Sequence, residues 1–141
     1  MESKLIHQSL EFTARLVGDS GDSGDAAWTV ISAVEKAMHN RKLPGHLFVT
    51  IVASGLMVDE EGRPGLGLYH SGIQHLAVCV LMPEDFPGSH DEWLEEVRVS
   101  TIHEIVHYEQ DLAGKMGPDE DLDAIESEAE VIAHQIASME A

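Results

Sequence analysis

Basic residues are scarce in this 141-residue chain, where eight Lys and Arg stand against 26 Asp and Glu for a net charge of −18. A surface of that sign repels phosphate backbones and anionic headgroups, which argues against nucleic acid and membrane surfaces as partners. Cys79 is the only cysteine, so no internal disulfide forms. Its apolar neighbours in HLAVCVL make it a small buried hydrophobe rather than a catalytic thiol. No run of about 18 apolar residues occurs, so no membrane span is expected. MESKLIHQSLEF carries charges where a secretory signal needs an apolar stretch, and a cytoplasmic location is expected. Aromatic residues make up only 5% of the sequence, so the core must be mostly aliphatic side chains and Met.

What is present suffices for one folded domain over residues 1–141: 43% of the residues are apolar and 24% charged. Leu10, Phe12, Ala14 and Leu16 alternate with polar residues, the period of a half-buried strand. GDSGDSGD (18–25) lacks the spacing and closing Glu of a calcium loop and reads as a linker, with Asp25 as N-cap of the helix AAWTVISAVEKAMHNRK. Pro44 and Gly45 stop that helix. Residues 46–58 read as a second strand and GLGLYH (65–70) as a third, after the turn DEEGRPG. The apolar run 73–82 is a strand covered on both faces. Ser89 and Glu92 form a capping-box pattern for a helix from about Asp91 to Gly114, and Pro118 opens a last helix reaching to about Met139. Basic residues end at Lys115, so most carboxylates of that last helix belong to a solvated face.

The chemistry lies in VSTIHEIVHYEQ. His103, Glu104 and His107 form an H-E-x-x-H inside a helix, where four residues turn about 400° and rise about 6 Å. Both imidazoles therefore leave one face and converge on one ion, and Glu104 stands beside them to reach a water without being a ligand. A catalytic zinc needs two such histidines, a third protein ligand and an open position. Leu94, Val97, Thr101, Ile105, Tyr108 and Leu112 form the stripe facing the sheet, which turns the histidines toward the last helix. Ile102 and Val106 enclose the helix further.

The short connection GKMGP makes the last two helices antiparallel neighbours and sets Glu126 level with His107. Leu122, Ile125, Ala129, Ile132, Ile136 and Met139 form the buried stripe of the last helix. Glu126, at its edge, is the first choice as third ligand, and Glu128, at the other edge, is the alternative. Glu130, one turn on, is placed to buttress a histidine or Glu126.

His103, Glu104, His107 and the following E-S-E-A-E of 126–130 resemble the gluzincin metallopeptidases, in particular the compact minigluzincins. The resemblance covers residues 95–135 by motif and the upstream chain by element order. It implies an α+β, zincin-like fold: a small mixed sheet with a backing helix, the H-E-x-x-H helix, and a C-terminal helix supplying a glutamate. It also implies Zn2+ held by His103, His107 and Glu126, with Glu104 as the base in peptide-bond hydrolysis. A peptide or protein substrate would then pair with a strand edge between Gly65 and Leu81, and the acidic surface would favour basic or neutral peptides. Tyr69, His70, His75, Tyr108 and His134 are candidates for an oxyanion donor, although Tyr108 reads as core and His134 as solvated. The alternatives are a non-catalytic domain of the same fold that holds metal or a protein partner, and an acidic interaction module in which the histidines are incidental.

Overall fold

The computed structural model describes residues 3–18, 24–53, 57–58, 64–65, 67–117 and 120–139, with only the backbone described for 57–58 and 64–65. It is a mixed α and β fold with a five-stranded sheet and three helices. The hairpin β1 (Ser3–Gln8) and β2 (Phe12–Val17) leads into α1 (Gly24–Asn40) and β3 (Leu47–Val52). A separate two-stranded ladder, β4 (Met57–Val58) with β5 (Pro64–Gly65), precedes β6 (Gly67–His70) and β7 (His75–Cys79). Two helices close the chain, α2 (His90–Leu112) and α3 (Leu122–Met139). The sheet order is β1-β2-β3-β7-β6, parallel across β2, β3 and β7 and antiparallel at both edges.

Phe12, Ala14 and Leu16 of β2, Leu47, Val49 and Ile51 of β3, and Leu76 and Val78 of β7 enter one core with α1 and with Trp93, Val97, Ile105 and Tyr108 of α2. The period-two pattern of β3 leaves Phe48 half-exposed on the opposite face. The strand expected over 73–82 is shorter: β7 is buried along Leu76–Cys79, while Ile73, Leu81 and Met82 at the ends of the apolar run are exposed. Cys79 is fully buried, and burial pushes its thiol pKa up, away from nucleophilic use.

Several anchors fix α2. Ser89 and Glu92 complete the capping box, and the Trp93 indole donates to the Val80 carbonyl at 3.0 Å. The Arg41 guanidinium grips Glu109 with two hydrogen bonds, tying the end of α1 to α2. Asp111 accepts from Tyr69 Oη at 2.7 Å and from the Gly72 amide at 3.1 Å, holding β6 against the same helix. α3 packs antiparallel on α2: Arg98 donates to the Ala137 carbonyl at one end and Gln110 to the Ile125 carbonyl at the other. A second core lies between them, made of Ile102 and Val106 against Ala129, Ala133, Ile136 and Ala137, with Ala33 of α1.

Some sequence expectations need correction. β1 has no counterpart in them, because SKLIHQ is an edge strand held by backbone pairing with little apolar burial. Leu10 belongs to the turn before β2 and is 92% exposed. Asp25 stands inside the first turn of α1, not at its N-cap, where its carboxylate still meets the positive helix end. The strand expected over 46–58 ends at Val52, and Met57–Val58 joins the small ladder. α3 starts at Leu122 because Asp121 caps it, its side chain accepting from the amides of Asp123 and Ala124. Pro118 lies outside the described residues, as does most of the 18–25 linker and of the 59–65 turn. Leu122 and Met139 are exposed, and Ala133 and Ala137 take the places expected for them in the buried stripe. Among the described residues no helix is long and apolar enough to cross a membrane.

The α2/α3 contact sets Ala129, Ala133 and Ala137, with Ile136, against Ile102 and Val106, and Ala133 is fully buried in it. Ala133→Leu is expected to cost about 1–3 kcal/mol of unfolding free energy by overpacking, read from urea denaturation.

Candidate metal centre

His103 and His107 leave the same face of α2, their ring centroids 4.8 Å apart. Across from them, Glu126 on α3 places one carboxylate oxygen 3.1 Å from His103 Nε2 and the other 3.0 Å from His107 Nε2. The two Nε2 atoms are 3.1 Å apart. These donors form the one group of three or more potential ligands found among the described residues, all within 4.8 Å of one another.

What stands behind each ring decides what its Nε2 can do. Gln110 donates its amide to the Ile125 carbonyl at 3.1 Å and to Glu128 at 3.0 Å, so its carbonyl oxygen must be the atom facing His107 Nδ1 at 2.8 Å. Nδ1 is then the protonated nitrogen of a neutral His107, and Nε2 carries the lone pair. Burial lowers the His107 pKa, opposed by the Glu126 charge and the Gln110 hydrogen bond, and the ring is 4% exposed. Glu130 lies behind His103, its Oε2 3.2 Å from Nδ1. The His107 Nε2 lone pair therefore faces His103 Nε2 and the Glu126 carboxylate, and the 3.1 Å hydrogen bond between His103 Nε2 and Glu126 gives that group its one proton when His103 is protonated at Nε2. A divalent cation at the centre would take the place of that proton. With one donor atom from each residue the three lie within 4.8 Å of one another, against an edge of about 3.3–3.4 Å for a tetrahedron with bonds of about 2.0–2.1 Å, so His103, His107 and Glu126 could hold zinc after small side-chain shifts.

No protein-family model, curated protein or solved structure matches the chain.

Glu104 is 7% exposed, and among the described residues it has no hydrogen-bond partner. Burial, with a smaller contribution from Glu126, pushes its carboxyl up to about 8. Gly67 of β6 lies directly against it: a Cβ at that position would stand 2.8 Å from both Cγ and Oε2 of Glu104. Only a glycine permits the edge strand to come this close.

The expected residues thus divide. His103, His107 and Glu126 come together, with Glu104 beside them and Glu130 behind His103. Glu128 points elsewhere, accepting from Gln110 and Lys115, and those bonds lower its pKa. Tyr69 and Tyr108 are not free oxyanion donors, since their hydroxyls donate to Asp111 at 2.7 Å and to the Pro44 carbonyl at 2.6 Å. His75 bonds Thr50 at 2.7 Å and stacks with His70. His134, 61% exposed, bonds Glu130 at 2.9 Å. Gln110 and Gly67 have no counterpart among the sequence expectations. Gln110 is detectable as a polar residue three positions after His107 on an enclosed helix, whereas nothing in the sequence signals the approach of Gly67.

Gly67→Ala is expected to lose about 1–3 kcal/mol of stability by overpacking. Adding Glu104→Ala removes the obstructing carboxylate, so the double variant should recover most of that loss in urea unfolding; strict additivity would contradict the contact.

Proposed function

We propose that this chain is a zinc-dependent peptidase of the compact gluzincin type, with a zincin-like arrangement of sheet, H-E-x-x-H helix and glutamate helix. The observation that carries this reading is the convergence of two imidazoles and the Glu126 carboxylate beside an enclosed carboxyl. His103, His107 and Glu126 would hold the ion. Gln110 would keep the His107 ring turned toward it, with Glu130 close behind His103, a role that in metal sites adds substantially to affinity. When bound, zinc supplies a Lewis acid that acidifies water and polarises a scissile carbonyl.

The remaining work falls to the chain. Glu104 takes a proton from the attacking water at its carboxylate and delivers it to the leaving amine. Glu104, whose carboxyl burial holds high, would be ionised for the first transfer with a cation held beside it. β6 is the edge strand of the sheet among the described residues, and its place next to Glu104 suits an extended peptide that adds one more strand.

A non-hydrolysing metal-binding domain is the second reading, and one observation favours it. Both tyrosine hydroxyls that the sequence offers for the oxyanion are engaged elsewhere, leaving the metal as the main source of stabilisation.

Purified without a histidine tag, the protein is expected to bind about one zinc per chain through three protein ligands. Glu104→Gln should retain that zinc and lose peptide hydrolysis by about 100-fold or more. Glu126→Gln should weaken zinc binding, whereas Glu128→Gln should leave it intact, both measured by competition with a chromogenic chelator. Hydrolysis undiminished in Glu104→Gln contradicts the peptidase reading.

A further inference from the structure

A cleft of about 540 Å³ adjoins His103, walled by the first half of α2, the second half of α3 and Gly67 of β6. Glu95, Glu96, Glu104 and Glu130 all line it, and among the described residues no Lys or Arg does. Two of these carboxylates are already engaged. Glu95 accepts from Arg98 at 2.8 and 3.0 Å, and Glu130 is shared by His103 and His134. Glu96 is exposed and has no ion-pair partner among the described residues. Glu104 is buried, opens onto the same cleft and has no hydrogen-bond donor of its own there. Unpaired carboxylates, one of them largely out of water, make a place for a ligand that brings donors and positive charge.

The length of α2 fixes where that charge belongs. Glu96 lies about two turns before His103, or about 10 Å along the axis. An extended peptide advances about 3.3 Å per residue. A side chain reaching Glu96 thus belongs to a residue about three positions from the one held against His103 and Glu104.

We propose that this cleft takes a basic side chain of an extended peptide, with Glu96 selecting Lys or Arg about three residues from the bond at the metal centre. The inference rests on the peptidase reading for its register and on the cleft alone for its charge preference. Overall charge would favour cations anywhere on the surface, whereas this assignment places the selectivity at one residue and one peptide position.

The test uses zinc-loaded protein and a peptide series that differs only by Lys, Gln or Glu at each position in turn. Binding is followed by fluorescence anisotropy on the Glu104→Gln protein, and cleavage by mass spectrometry on the wild type. Lys at one position should bind about two- to five-fold more tightly than Gln, the range of a solvent-exposed ion pair. That position should lie about three residues from the cleaved bond. Adding Glu96→Gln should remove the preference, and Glu96→Lys should reverse it toward Glu, with urea midpoints unchanged because residue 96 is exposed. Binding indifferent to charge, or a Lys preference that survives Glu96→Gln, overturns the assignment. Cleavage without any charge preference overturns it too, while leaving the peptidase reading in place. A Glu96-dependent Lys preference without any cleavage would support the cleft and refute the peptidase.

Discussion

The separation of α2 and α3 governs the candidate centre. Ala129 and Ala133 are fully buried against Ile102 and Val106, and these four side chains set how near the helix axes lie. At that spacing the Glu126 carboxylate, one turn before Glu130 on α3, spans both imidazoles at 3.0 and 3.1 Å. The antiparallel register is held at both ends by side chains bonding to backbone carbonyls, Arg98 to Ala137 and Gln110 to Ile125. Gln110 serves twice, because the amide that fixes the register also fixes which nitrogen of His107 carries the proton.

The centre is asymmetric. His107 and Glu104 are enclosed, while Glu126 is 62% exposed and the cleft opens along α2. Enclosure keeps His107 neutral and raises the Glu104 carboxyl, the first favouring a metal ligand and the second a base. Exposure on the Glu126 side leaves room for substrate. The edge strand β6 reaches this boundary because Gly67 has no side chain and because Asp111 fastens Tyr69 and Gly72 to α2.

Much of this is legible in the sequence because it depends on periodicity within one helix. The i, i+4 histidines, the Ser89/Glu92 cap, the buried β7 run and the level placement of Glu126 follow from helix and strand geometry alone. The choice between Glu126 and Glu128 is harder, since helical projection does not say which edge faces a neighbour; Gln110 and Lys115 draw Glu128 away. β1 is illegible because edge pairing requires no apolar pattern, and the start of α3 is misplaced because Asp121 outcompetes the upstream Pro as a start signal. The contact of Gly67 with Glu104 joins residues far apart in the chain, and only the folded structure brings it into view.

Zinc K-edge X-ray absorption on the protein loaded with one equivalent of zinc tests the central claim most directly. The account predicts a four-coordinate nitrogen and oxygen shell at about 2.0–2.2 Å with the outer-shell scattering of two imidazoles. Glu126→Gln should alter that shell while both imidazole signatures remain. A zinc shell lacking two imidazoles, or one that is identical in the Glu126→Gln protein, would contradict it.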